Sequence, residues 1–345
     1  MNDWKTFLAA RGARIEEAGV ETFGDLASEL QAAADGSVVV PLLHLGVLTF
    51  AGADAVAFLH SQLSCDVKGL AAGGSTWGSY CTPKGRMLAT FFLLKEPGAI
   101  ALLPASDVCD SLRKRLAMFI LRSKVTVSDA TPELALLGVS GPGASDALLE
   151  ALGIAPPATA HRGVWSTQGI AAVRLPGRER YLVLAPPAEA DRVWGLLAQR
   201  LRPAGAAAWQ WLDIVHGVPL VTALTQEAFV PQMVNLELVG GVSFDKGCYP
   251  GQEIVARTQH LGQVKRRMHL AHVDTGIPPS PAAPLYHESD ALQTAGMVVN
   301  ASPAPGGGVD LLAVVQTSAL AGGAVRLGTP DGPVLAFRPL PYAIP

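Results

Sequence analysis

Cysteine is scarce and scattered in this chain: the four residues, Cys65, Cys81, Cys109 and Cys248, include no CxxC pair and no Cys/His cluster at metal-ligand spacing. The sequence therefore offers neither a disulfide framework nor a structural zinc site, and it suits a reducing compartment. Charge is sparse as well, at 16% of residues, and nearly balanced, with 26 Lys+Arg against 29 Asp+Glu for a net −3. A broadly basic nucleic-acid binder and a polycationic membrane-surface protein are excluded on that ground. Long apolar runs are missing. The longest stretches, such as 38–50, contain Pro41 and His44 and fall short of the roughly 18 residues a membrane span needs. Residues 1–25 mix Asp, Glu, Lys and Arg and hold no apolar core of signal-peptide length. A soluble, cytoplasmic protein is expected. The GGV and GGG segments lack the lysine or the strand-turn-helix spacing of Walker-type and dinucleotide-binding sites.

What is abundant is apolar surface, at 49% of 345 residues, together with 36 Gly and 26 Pro. Such a chain can bury a sizeable core, and its length suggests two or three domains. Residues 43–63 and 134–154 read as two copies of one unit, an apolar run, a glycine turn and a helix, with Gly52 matching Gly143 and with Asp54 and Ser145 as helix caps. A duplicated unit and a chance likeness of two common motifs both fit that pattern. Val108, Leu112, Leu116 and Ile120 recur every four residues, the spacing of an amphipathic helix, and a strand is expected at 124–128. Another strand is expected at 181–187 and a helix over 189–201, so the first 200 or so residues read as mixed α/β. From about Gln263 the texture changes to short β-rich runs between Gly, Pro and Ser segments, the pattern of a small all-β sandwich or barrel.

The densest collection of reactive and turn-forming residues is FDKGCYPGQEIVARTQHLGQVKRR at 244–267. Gly247, Pro250 and Gly251 predict a tight turn that holds Cys248 and Tyr249 at its bend. Lys246 and Arg257 supply positive charge that favours a thiolate. The alternative is a buried cysteine acting as a small hydrophobe. No histidine lies within the motif, and His260 is too far along the chain to support a Cys-His nucleophile.

KGCYPGQE at 246–253 resembles the signature of the YgfZ family of folate-binding, iron-sulfur-linked proteins, which are similar in turn to the T-protein (aminomethyltransferase) of the glycine cleavage system. The segments at 229–257, 52–67 and 80–90, and RPLPY near the end, resemble family segments in the same order, so the likeness covers nearly the whole chain from about residue 40. It implies an α+β fold: two related ferredoxin-like lobes, about 39–130 and 131–260, form a T-protein-like folate-binding body after an N-terminal segment 1–38, and a small β-barrel follows at 261–345. It implies a tetrahydrofolate-binding accessory protein that supports assembly or repair of iron-sulfur enzymes, tRNA-modifying ones among them. Carried over by motif position, the functional thiol is Cys248, as redox thiol or transient cluster ligand, within Lys246, Gly247, Tyr249, Gly251, Gln252, Glu253 and Arg257. No permanently bound metal, no membrane and no direct tRNA binding are expected; partners would be iron-sulfur enzymes or assembly proteins.

The same resemblance assigns a folate contact to Trp209, with Tyr249 of the motif beside it; in a strand Trp209 and Trp211 would face the same side, and the alternative is that both are core residues. Gln232 and Asn235 offer amides that suit either a pterin edge or backbone groups in a loop. Four positions depart from the pattern. Ala89 and Thr90 stand where aminomethyltransferases carry an aspartate pair, which argues against methylene transfer. Val215 replaces a glutamate that hydrogen-bonds the pterin edge, unless Asp213 or Glu227 substitutes. Leu45 replaces a second tryptophan. The alternative is a one-carbon transferase whose acid has moved to Asp66, Asp245 or Glu253. Lys265, Arg266 and Arg267 could receive the glutamate tail of folate or a nucleic-acid phosphate, or could be a solvated strand entrance.

Overall fold

The computed structural model describes residues 2–16, 19–261 and 264–345. Contacts divide the chain into two compact units, the first running as far as Ala55 and then taking in Leu70–Thr76 and Phe92–Leu212, the second made of Val56–Gly69, Trp77–Phe91 and Asp213–Pro345.

In the first unit a six-stranded sheet runs in the order Gly163–Trp165, Ala171–Arg174, Arg180–Ala185, Ala135–Ser140, Val38–Pro41 and Arg202–Pro203. Every pairing is antiparallel except the last. Helix Pro187–Arg200 places Ala190, Val193, Trp194 and Leu197 on one buried stripe, an i, i+3, i+4, i+7 pattern that packs with Leu148 and Leu152 of helix Ala144–Leu152 around Leu137, Val139 and Val183 of the sheet. A second sheet orders Ser75–Cys81, Met87–Glu96, Ala99–Pro104, Leu48–Ala51 and Thr126–Asp129, its first two strands being divided between the units. Helix Ser106–Ala117 buries Val108, Cys109, Leu112 and Leu116.

The strand-turn-helix unit occurs twice, as Leu48–Ala51 leading to Ala55–Gln62 and as Ala135–Ser140 leading to Ala144–Leu152. Gly52 has φ 121°, and a Cβ there would strike the Lys124 carbonyl, so glycine is a steric requirement at this turn. The expected caps are different in the structure. Asp54 accepts a hydrogen bond from the Lys124 amide at 2.7 Å, and Ser145 lies inside its helix, where Gly143 is the N-cap without a side-chain bond. Ile120 falls beyond the end of the helix whose period it continues.

The second unit holds a curled antiparallel half-barrel whose six strands run in the order Val325–Leu327, Pro284–His287, Asp290–Pro303, Val309–Gln316, Arg266–Val273 and Ala336–Arg338. Its central strand explains the continuous run LLAVV. Leu312 and Val314 face a cluster with Phe229, Val234, Leu236 and Val255, while Leu311, Ala313 and Val315 face one with Val298, Leu285 and Val325. A strand covered on both faces has no polar side to alternate with. Gln263, where the change in texture is read from sequence, lies outside the described residues. Among the described residues no helix is long and apolar enough to cross a membrane.

Trp209 and Trp211 sit on helix Ala206–Val215 and not on a strand. At about 100° per residue, positions two apart point to nearly opposite sides of a helix. Trp209 is 1% exposed, its ring lies over Gly138, and the Arg180 guanidinium is 4.5 Å from the ring centroid. A Cβ at position 138 would overlap the indole. Gly138→Ala should therefore cost about 1–3 kcal/mol of stability, read by denaturant unfolding, and an unchanged midpoint would mean that the ring can move aside.

Candidate functional site

The sequence around Cys248 forms an irregular turn between Val242 and the helix Gln252–Leu261. Gly247 and Cys248 are exposed and Tyr249 is 6% exposed, so the bend presents the thiol outward and turns the next side chain into the core. Gly251 closes the turn at φ 82°. A Cβ there would collide with the Thr82 carbonyl and the Gly85 backbone, so this glycine permits close contact with the tight turn at 82–86. That second turn is closed by Gly85 N–H donating to the Thr82 carbonyl at 2.9 Å and Thr82 N–H to the Arg86 carbonyl at 2.8 Å. The helix then begins with Glu253 in its first turn, where a carboxylate faces the positive end of the dipole, and Arg257 is exposed one turn on.

Lys246 anchors the turn from below. Its ammonium donates to the carbonyls of His60, Leu63 and Cys65, the last at 3.0 Å, and lies 5.0 Å from the Tyr249 ring centroid. These carbonyls belong to the end of helix Ala55–Gln62 and the segment after it, where backbone oxygens lack intrahelical partners and the helix dipole is negative. An ammonium has three N–H donors, and all three are taken. The lysine is thus a helix cap supplied from far along the chain. Its three N–H groups are directed at carbonyls, so the lysine makes no hydrogen bond to the Cys248 thiol. Burial pulls the ammonium down to about 8 from its ordinary 10.5.

The other cysteines are separated from Cys248 by burial. Cys65, Cys81 and Cys109 are enclosed, and loss of solvent pushes each thiol up to about 12, so they stay protonated near neutral pH. Burial also raises the Tyr249 phenol, with Cys81 and Cys65 adding to the shift, and its hydroxyl has no hydrogen-bond partner among the described residues. Among the described residues no group of three or more His, Cys, Asp or Glu side chains could hold a metal ion.

The segment 229–237 braces the motif helix and the first barrel strand. Gln232 Nε2 donates to the Val255 carbonyl at 2.7 Å, and Asn235 Nδ2 donates to the Met268 carbonyl at 2.8 Å. Arg267 donates to the Gln232 carbonyl at 2.9 Å and pairs with the buried Glu237 carboxylate. Both amides expected at a pterin edge are therefore engaged with backbone, and only Gln232 Oε1 remains without a partner among the described residues. Arg267 is buried on that ion pair and, with Lys265, Arg266, Gln259, Thr317 and Ser318, also lines a cavity of about 980 Å³. Asp66, Asp245 and Glu253 are all exposed. The carbonyls at 60–65 were not legible as part of this site. The available signal is a helix end in HSQLSCDV that carries neither a glycine nor a lysine or arginine in its last turn.

No protein-family model matches the chain. The solved glycine cleavage system aminomethyltransferase T from Bartonella henselae superposes with a TM-score of 0.80 at 18% identity, covering 99% of this chain and 97% of that one. The protein thus has the α+β fold of that aminomethyltransferase, with an exposed cysteine on a lysine-anchored turn. It is 32% identical over 298 residues to the tRNA-modifying protein YgfZ of Edwardsiella ictaluri (strain 93-146), covering 86% of this chain and 89% of that protein. The YgfZ proteins of Yersinia pestis (strain Pestoides F) and Sodalis glossinidius (strain morsitans) are each 29% identical, over 299 and 307 residues, covering 86% and 89% of this chain and 90% and 93% of their own. The chain belongs to the YgfZ family.

Lys246→Met should destabilise the protein by about 1–3 kcal/mol, because buried carbonyls lose their donors. Lys246→Arg should not restore the loss, since a planar guanidinium cannot aim three N–H groups at converging oxygens. A folded-state pKa near 8 against 10.5 means that the unfolded chain binds the extra proton between those values, so the wild-type stability relative to Lys246→Met should rise as pH goes from 8 to 10.5. Unfolding at several pH values checks this, and a flat difference would mean an unshifted lysine.

Proposed function

We propose that this protein is an accessory factor for iron-sulfur enzymes, tRNA-modifying enzymes among them, and that it acts through the Cys248 thiol and binds tetrahydrofolate. The observation that carries this reading is the Cys248 turn. In a YgfZ-family chain with four cysteines, three are enclosed and stay protonated, while the fourth is exposed at the bend of the family motif. Lys246, two residues before it, and Tyr249, next after it, are committed to the interior, so the turn that presents the thiol is anchored on both sides. That arrangement suits transient ligation or thiol exchange with a group held by a partner. The name of the relatives, tRNA-modifying protein, fits clients that include tRNA-modifying enzymes.

Methylene transfer is the weaker reading. Ala89 and Thr90 are 0% and 2% exposed, and the Thr90 hydroxyl donates to the Pro219 carbonyl at 3.1 Å and accepts from the Val221 amide at 2.8 Å. That position braces backbone and offers no carboxylate to a reacting nitrogen, and the relocated acids named above are exposed.

Of the four residues expected to touch folate, two have their polar or aromatic groups engaged with protein. Trp209 has its ring against Gly138 and Arg180, and Asn235 is bonded through both ends of its amide. The Tyr249 hydroxyl and Gln232 Oε1 are the polar atoms among them left unpartnered, so the folate part of the proposal rests on those two atoms and on the family resemblance. No step of the proposed mechanism runs through the ligand.

In a host lacking this protein, the activity of iron-sulfur enzymes and the thiolation of tRNA should fall, wild-type protein should restore both, and Cys248→Ala should restore neither while accumulating normally. Full rescue by Cys248→Ala would remove the thiol from the function. Titration of the purified protein with tetrahydrofolate, followed by calorimetry, should show binding that Tyr249→Phe weakens by about 1–3 kcal/mol. Without ligand, that substitution should be neutral or stabilising, because it deletes an unsatisfied buried hydroxyl. Binding that Tyr249→Phe leaves unchanged would place folate elsewhere, and no heat at all would exclude it.

A further inference from the structure

The turn that leaves helix Ser106–Ala117 and enters strand Thr126–Asp129 exposes more apolar side chain than its fold requires. Met118 is 64% exposed, Phe119 46% and Leu121 88%. Leu121 also has φ 43°, in the left-handed region that glycine or asparagine fills at helix ends with less strain. The position therefore carries two independent costs, a strained backbone and a solvated large side chain, and neither supports the surrounding fold. Strain and exposure of this kind concentrate where a side chain must be presented.

Beside these residues lies a cavity of about 680 Å³ lined by Asp54, Phe119, Leu121, Arg122 and Ser123. Arg122 and Lys124 are exposed with no carboxylate partner among the described residues, whereas Arg113 and Lys114 share Asp110 at 2.8 and 2.6 Å. The patch thus joins apolar anchors to two exposed cations, with the Asp54 carboxylate at its edge.

We propose that this face docks an acidic, amphipathic segment of a protein partner, with apolar side chains of the partner seated against Phe119 and Leu121 and its carboxylates on Arg122 and Lys124. Discrete carboxylates can meet the two cations and avoid Asp54. A continuous anionic surface, such as a lipid headgroup layer or an RNA backbone, meets Asp54 as well, and an RNA backbone makes no use of Met118 and Leu121. A second copy of the chain would bring like charges together across a two-fold contact. The proposal is independent of Cys248 and of folate.

The test is selection of a random 12-residue peptide library on the full-length protein, followed by fluorescence anisotropy with one enriched peptide. Enriched sequences should combine Leu, Phe or Met with Asp and Glu. Leu121→Gly should weaken binding at least about tenfold and leave the melting temperature within about 2 °C of wild type or higher. The double variant Arg122→Glu with Lys124→Glu should do the same to binding, which keeps the test decisive if the first variant folds poorly. Binding should also weaken in about 0.5 M NaCl. Enrichment without acidic residues, binding that both variants retain, or a face that takes phosphatidylserine vesicles, RNA or a second copy in place of the peptides would overturn the proposal.

Discussion

One ammonium group holds the candidate site together. Lys246 meets the carbonyls of His60, Leu63 and Cys65, so a residue of the motif closes a helix that ended some 180 positions earlier, as the separations of 186, 183 and 181 residues record. A charged donor on several partly buried acceptors is among the stronger hydrogen-bonding arrangements available to a protein. It anchors the chain two residues before Cys248, while the buried Tyr249 anchors it immediately after, and the thiol between them is exposed.

The rest of the second unit extends that logic. Gly251 lets the turn touch the backbone at 82–85, and Gln232, Asn235 and Arg267 bind the motif helix and the first barrel strand to the segment 229–237. Apart from Gln232 Oε1, these buried polar groups are answered by specific partners, which is what the low dielectric of an interior demands. The burial of Arg267 beside Glu237 also removes one cation from the basic run 265–267. A charge count along the sequence therefore overstates what that run offers to solvent.

The periodic parts of the fold were legible. Helix Pro187–Arg200, the repeated strand-glycine-helix unit and the barrel strands all lie where spacing placed them, because amphipathic patterns record the local geometry that buries them. The tryptophans at 209 and 211 misled. Two bulky residues at i, i+2 suit a strand face, yet the alanine run before them favours a helix, and tertiary packing on Gly138 decided the matter. Cap residues failed for a similar reason, since Asp54 found a distant amide to serve in place of its own helix end.

Within the site, the string KGCYPGQE by itself determined that there would be a tight turn with cysteine at its bend, because glycine and proline constrain backbone wherever they stand. Only the tertiary structure decided what each neighbour does there. That the three donors of Lys246 meet carbonyls contributed by residues 60–65 could not be read from its place beside the cysteine. Two amides suited either to a ligand edge or to loop backbone took the second role, with the backbone of Val255 and Met268 as partners. Hydrogen-bond donors are used up by whatever the fold brings within about 3 Å, and that proximity is a property of the folded chain that spacing along the sequence does not encode.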